Sequence, residues 1–280
     1  MIGPSQEVID SALEVLRTVG IEEADLLVTL GSGQANPWED EVEVGVTYRE
    51  LPGWDAPAVA GRGGKLSLVR VGPENVLVMA GRHHYYEARS YEAVITPLRV
   101  SHALGVRRAL LTNSVGALRS GLRPGDLVLL SDHIFLQGPR LPLLLQGAWP
   151  QGVRPGYWKE GGAAIVEAAG RAGISVTEGV LLCVPGPMYE TRAEAEMARR
   201  LGADVVAMSL APEALIARAL GCRVMGLSLV TNTVGEAGHA DLHHEEVITA
   251  AARFQPILTR LLREAIPALA AVSDDEPAGH

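Results

Sequence analysis

VTEGVLLCVPGPMYETRAEAEMARRLGADVVAMSLAPEALIARALGCRVMGLSLVTN, residues 176–232, decides the fold. Short runs of Val, Leu and Ile alternate in it with longer stretches rich in Ala, Glu and Arg. Uncharged apolar runs of this length predict strands buried on both faces, and the intervening segments carry strong helix formers. The reading is strand at 176–186, helix at 191–201, strand at 204–209, helix at 212–220 and strand at 223–232. Strands separated by helices predict parallel pairing with helices covering the sheet.

The pattern extends in both directions. Towards the N-terminus, Ser5 to Val19 reads as a helix: Ser5 can cap it, and Val8, Ile9, Leu13, Leu16 and Val19 form a stripe that stops at Gly20. ADLLVTLGSG (24–33) reads as a strand entering a glycine turn. LSLVRVG (66–72) and NVLVMAGR (75–82) read as a hairpin turning at Gly72-Pro73. A helix at Val94–Leu104, strands at 108–114 and 125–133, a Pro- and Gly-rich loop at 137–156 and a helix near 158–170 lead back to the opening segment. Beyond it, His243–Ala268 reads as a helix with a kink or break at Pro256. The expectation is an α/β protein: a single domain over residues 1–272 with a mixed, largely parallel β-sheet flanked by helices, and a polar tail at 273–280.

Bulk properties exclude several classes. The 280 residues are 48% hydrophobic and 20% charged, which permits a sizeable core and excludes wholesale disorder. A net charge of −9, with no basic face, argues against nucleic acid. An anionic substrate must then be held by local arginines and backbone amides. Cys183 and Cys222, both in apolar runs, read as buried reduced thiols rather than a disulfide framework. The acidic N-terminus lacks the pattern of a signal peptide, and no apolar run reaches the ~18 residues of a membrane span. A cytoplasmic protein that engages no membrane is expected.

Ligands in such sheets bind beyond the carboxyl ends of the strands. Polar or glycine residues stand there repeatedly: Gly31-Ser32-Gly33, Gly81-Arg82-His83-His84, Thr112-Asn113-Ser114, Met208-Ser209 and Thr231-Asn232. Gly31-Ser32-Gly33 offers free backbone amides and a hydroxyl to a phosphate, or is an ordinary tight turn; Gln34-Ala35-Asn36 completes neither a dinucleotide fingerprint nor a P-loop. Arg82 can grip an oxyanion with two bonds, with His84 beside it and Glu87 placed to hold the imidazole. Glu190 reads either as a helix cap or as the acceptor for an N–H on a ligand base. Asn232, with a donor and an acceptor on one side chain, suits a purine ring nitrogen or a strand-end turn. His243-His244-Glu245-Glu246 lacks the register of a metal-binding helix, and no metal site is expected.

In order and spacing, LGSGQ, AGRHHYYE, LLTNSVGAL, PGDLVLLSDHI, VPGPMYETRAEAEMARRLGADVVAMSLAPEALIA, LSLVTN and HHEEV resemble the trimeric, low-molecular-mass purine nucleoside phosphorylase family over residues 5–268. The resemblance implies a pentosyltransferase. It would split a purine nucleoside with inorganic phosphate into base and ribose (or deoxyribose) 1-phosphate, with inosine and guanosine preferred and no cofactor beyond the phosphate co-substrate. It assigns phosphate binding to Ser32, Arg82, His84, Ser209 and the backbone at Ser114. Tyr86, Met208 and His244 would surround the sugar, with His244 at its 5′-hydroxyl; Tyr189 would stack on the base. Glu190 would bind the N–H edge and Asn232 the imidazole nitrogen of the leaving purine. It also implies a homotrimer.

This chain departs from that pattern at several points. Gln34-Ala35 replaces the usual Leu-Gly after Gly-Ser-Gly. Arg62, in AGRGG, stands where the family carries a phosphate-site His; it can hold phosphate but cannot shuttle a proton. Thr233 follows Asn232 where vertebrate members have Lys. Residues 137–158 lack the stretch that lends an aromatic ring to a neighbouring subunit, leaving Trp149, Tyr157 and Trp158 as substitutes. Two rival readings stand beside the main one. A methylthioadenosine phosphorylase favours Asp at position 232 and Ser-Ser in place of the Tyr189-Glu190-Thr191 pattern. A non-catalytic nucleoside-binding homologue would not need a phosphate site.

Overall fold

The computed structural model describes residues 4–54, 64–88, 91–138, 156–235 and 243–272. In chain order the helices are α1 (Gln6–Thr18), α2 (Tyr85–Ala88), α3 (Glu92–Ala103), α4 (Lys159–Arg171), α5 (Arg192–Arg200), α6 (Ala211–Ala219) and α7 (His244–Ala270). The strands are β1 (Leu26–Leu30), β2 (Val42–Thr47), β3 (Lys65–Val71), β4 (Glu74–Ala80), β5 (Arg108–Ala117), β6 (Leu127–Phe135), β7 (Val176–Cys183), β8 (Val205–Ala207) and β9 (Arg223–Thr233).

These strands form one mixed sheet in the order β2-β3-β4-β1-β5-β8-β7-β6-β9, and β9 also pairs with β5. The second half of the sheet therefore closes on itself as a five-membered ring, β5-β8-β7-β6-β9, while the first half splays out as an open wing. Parallel pairing joins β1 to β4 and β5, β5 to β9, and β7 to β6 and β8. The antiparallel pairs are β2–β3, β3–β4, β5–β8 and β6–β9. The expected hairpin is β3–β4, turning at Gly72 with φ +61.

Side chains leave β1 alternately to two cores. Leu27 joins α1, α3 and α6 through residues such as Leu16, Leu98 and Ala214. Leu26, Val28 and Leu30 join α4 and α7 through Ile165, Leu258, Leu262 and Ile266. Both faces are thus covered, which is why the strands read as continuous apolar runs. Ser5 caps α1 as expected, its Oγ accepting from the Val8 amide at 3.4 Å.

Three expectations change. Strand β2, the edge of the wing, was not legible: VEVGVT exposes Glu43, a mid-strand Gly45 and Thr47 on one face. β5 runs three residues past the expected end at 114, so Ser114 lies inside the strand and not at its end. Helix α7 does not break at Pro256 but continues through both Pro256 and Pro267. Both prolines lie on its exposed face, where water can satisfy the carbonyl four residues back. The polar tail and most of the 137–156 loop fall outside the described residues.

Candidate active site

The carboxyl ends of β1, β4, β5, β7, β8 and β9 converge with the start of α7 on one cleft, enclosing about 570 Å³ that is partly open to solvent. Its walls include Ser32, His84, Tyr86, Ser114, Tyr189, Glu190, Met208, Ser209, Asn232 and His244. Ten of the residues singled out in sequence thus meet in one place.

The β1 turn is pressed against its neighbours. A Cβ on Gly31 would lie 2.8 Å from the Asn113 Cα, and one on Gly33 (φ +74) 2.8 Å from the Ile248 carbonyl of α7. Both positions therefore require glycine, one for close approach and the other for a left-handed turn as well. The turn holds Ser32 next to Ser114, whose Oγ donates to the Ser32 carbonyl at 2.9 Å. One expectation fails here: the Gly31 amide is not free for an anion, because it donates to Gln34 Oε1 at 2.7 Å.

After β4, Arg82 and His84 part company. His84 is fastened by Glu87, whose Oε1 accepts from the His84 amide at 2.9 Å and lies 3.2 Å from Nδ1. This arrangement fixes the orientation of the imidazole at the cleft wall. Arg82 does not line the cleft. It is 2% exposed; Nε is 2.8 Å from Glu213 Oε1, and Nη1 donates to the Thr112 carbonyl. Its Nη2 has no hydrogen-bond partner among the described residues. A buried cationic donor left unmatched is costly, so this atom marks a demand for an acceptor.

Glu190 is 6% exposed, and its reading as a helix cap is excluded. Thr191 caps α5 instead: its Oγ1 accepts from the Glu194 amide while Glu194 Oε2 accepts from the Thr191 amide. The segment carrying Tyr189 and Glu190 closes over the cleft at Gly186 (φ +70), where a Cβ would stand 2.5 Å from Met208 Sδ and 2.8 Å from Tyr86 Cδ1.

Met208 and Ser209 sit on a turn whose next residue, Leu210, has φ +74. Glu213 Oε2 accepts from the Leu210 amide at 2.8 Å and steadies that unfavourable conformation. At the end of β9 the register against β5 slips between Val115 and Gly116, so the β9 residues facing them are Val230 and Asn232. This bulge re-aims Asn232, and Thr231 Oγ1 bonds Asn232 Oδ1 at 2.9 Å.

Sequence reasoning missed several contributors. Val115, Gly116, Val206, Ala207, Thr231 and Val247 complete the wall. Gln137, 4% exposed, donates from Nε2 to the carbonyls of Val184 and Met208, and its position in a presumed loop hid it. Glu213 carried a signal in the Met-Ser-x-x-Pro-Glu run that was left without a role. Arg62 and Trp149 lie outside the described residues. Tyr157 and Trp158 make contacts within the subunit: Tyr157 packs against His133 with ring centres 5.8 Å apart, and the Trp158 ring lies 5.1 Å from the Arg223 guanidinium. Among the described residues no group of three His, Cys, Asp or Glu could hold a metal ion. None of the described helices is long and apolar enough to cross a membrane.

Residues 25–267 match the model of the phosphorylase superfamily. The purine nucleoside phosphorylase of Mycobacterium leprae is 38% identical over 262 residues, covering 89% of this chain and 91% of that protein. Crystal structures of Schistosoma mansoni purine nucleoside phosphorylase superpose with TM-scores of 0.83 for a complex with inosine and 0.84 for one with adenosine. Their identities are 29% and 30%; each alignment covers 98% of this chain, and 99% and 100% of the other. The chain belongs to the phosphorylase superfamily and, within it, to the purine nucleoside phosphorylases.

Proposed function

We propose that this chain cleaves purine nucleosides with inorganic phosphate, preferring inosine and guanosine, with no metal or organic cofactor. The observation that carries the reading is the meeting of Ser32, His84 and Ser209 with Glu190 and Asn232 in one cleft. Hydroxyl and imidazole groups suited to an oxyanion share it with an acid and an amide suited to a purine.

In this reading phosphate rests against the Ser32 and Ser209 hydroxyls, His84 and the backbone at Ser114. The Arg82 Nη2 supplies charge from behind, and Arg62 adds a second cation. The sugar lies against Tyr86 and Met208, its 5′-hydroxyl towards His244, and the base stacks on Tyr189. As the bond from C1′ to the purine nitrogen breaks, its electron pair leaves with the base, C1′ gains oxocarbenium character, and a phosphate oxygen forms the new bond. Glu190 accepts the purine N–H, and the Asn232 amide donates to the ring nitrogen where negative charge grows. Catalysis then rests on orientation and preorganised dipoles, without a covalent enzyme intermediate.

The carboxylate of Glu190 paired with the amide of Asn232 supports a 6-oxopurine. A homotrimer is part of the proposal. Met188, 80% exposed beside the base-binding residues, and Leu136 at 40% offer apolar surface for a neighbouring copy. Two buried free thiols support residence in the reducing cytoplasm. Phosphorolysis rates for inosine, guanosine, adenosine and methylthioadenosine, measured side by side, test the substrate assignment. Inosine and guanosine are expected to turn over fastest. Faster release from either adenine nucleoside overturns the assignment and favours a methylthioadenosine phosphorylase.

A further inference from the structure

The Gly-Ser-Gly turn is held by a side chain from within itself. Gln34 is 8% exposed; its Oε1 accepts the Gly31 amide at 2.7 Å and meets the Thr112 hydroxyl, whose one proton it shares with the Thr29 carbonyl. The Gly31 N–H can only donate, so it fixes which end of the Gln34 amide lies there. The Gln34 backbone N–H closes the same turn onto the Gly31 carbonyl at 3.1 Å.

From Thr112 the bonding continues without interruption. The Thr112 carbonyl accepts from Arg82 Nη1, Arg82 Nε meets Glu213 Oε1, and Glu213 Oε2 holds the Leu210 amide. One chain of buried hydrogen bonds therefore joins the turn bearing Ser32, the middle of β5, Arg82 and the turn bearing Ser209. Gln34 itself does not line the cleft. An apolar side chain of similar length would leave the Gly31 N–H unpaired and remove one tie between the turn and β5, leaving the bond from the Ser114 hydroxyl to the Ser32 carbonyl.

We propose that Gln34 is a positioning residue for phosphate: acting through Ser32 and Thr112, it sets the oxyanion half of the cleft while leaving the nucleoside half alone. The proposal rests on the phosphorolysis reading above. The Gln34 Nε2 and Arg82 Nη2 atoms, both buried and without an acceptor among the described residues, belong to the same network. Two donor atoms of the network are thus left for an acceptor, as suits a place beside an anion.

The test is steady-state kinetics of Gln34→Met and Thr112→Val, varying phosphate at saturating inosine and then inosine at saturating phosphate. The wild-type enzyme serves as control: if it releases base without phosphate, the phosphorolysis reading itself fails, whatever the variants do. Given a phosphate-dependent wild type, Gln34→Met is expected to raise the KM for phosphate roughly tenfold, with the inosine KM within about twofold. Thr112→Val, which removes the hydroxyl shared by Oε1 and the Thr29 carbonyl, should move the phosphate KM the same way by roughly threefold. The double variant should be no worse than Gln34→Met alone, because both act through one contact. Equal rises in both KM values, or an unchanged phosphate KM, overturn the proposal. If Gln34→Met fails to fold, Thr112→Val alone decides: an unchanged phosphate KM overturns it, and a selective rise supports it.

Discussion

Asn232 owes its place to a one-residue slip between β9 and β5 and to the hydroxyl of Thr231, which meets its Oδ1. An amide so held can strengthen its bond to a purine as charge develops without reorganising, and such donors commonly contribute more to the transition state than to binding. Asn232→Ala is therefore expected to lower kcat on the order of a hundredfold. The KM for inosine should shift by less than about threefold, and steady-state kinetics separate the two. Unchanged kcat would remove the residue from the chemistry. At this scale the sequence was informative where a polar residue closes an apolar run, as Ser32, His84, Ser209 and Asn232 do. It was silent where the role depends on a partner far along the chain. Arg82 looked like a direct phosphate ligand, yet the pairing with Glu213, 131 residues on, keeps it behind the wall. The Gly31 amide looked free, yet a side chain three residues away occupies it.

Elements meet the cleft through backbone contacts as close as the one between the β1 turn and α7. Gly33 combines φ +74 with a Cβ position 2.8 Å from both the Ile248 carbonyl and the Ala251 side chain. Gly33→Ala should therefore incur backbone strain and push the start of α7, with His244, away from the cleft, at a total of about 2–4 kcal/mol. Gly72, at φ +61 with nothing within 4 Å, has the conformation without the contact; Gly72→Ala should lose about 1 kcal/mol. Thermal melts of the two variants compare these effects, and a Gly33→Ala Tm no lower than that of Gly72→Ala contradicts this account of the helix contact. Elements with one strong periodic signal, such as α1 and the β3–β4 hairpin, were legible. β2 was not, because an edge strand with one solvated face and a central glycine carries little apolar pattern. Pro256 misled because the rule against helical proline weakens where the abandoned carbonyl faces water.

Across the whole molecule, alternating apolar runs announced a sheet covered on both faces, and the two core clusters bear this out. The ring closure of β5 through β9 was not readable, since it depends on which edges find each other rather than on any segment's own pattern. The cores also set the fate of the thiols. Burial pushes Cys222 from its ordinary 9.0 up to about 11, and Cys183 higher still. A folded pKa above the unfolded one means the proton is held more tightly in the native state. The stability so gained is complete below about pH 9 and is lost as pH climbs towards 11. At pH 8 iodoacetamide should leave both cysteines unmodified in the native protein and label both after denaturation; rapid native labelling contradicts the burial. The central claim concerns one cleft that takes an oxyanion and a purine nucleoside together. It is tested most directly by hypoxanthine release from inosine with and without inorganic phosphate, with ribose 1-phosphate quantified alongside. Release that requires phosphate and yields one ribose 1-phosphate per base is the expected result. Release that proceeds equally without phosphate, or nucleoside binding with no release at all, would contradict it.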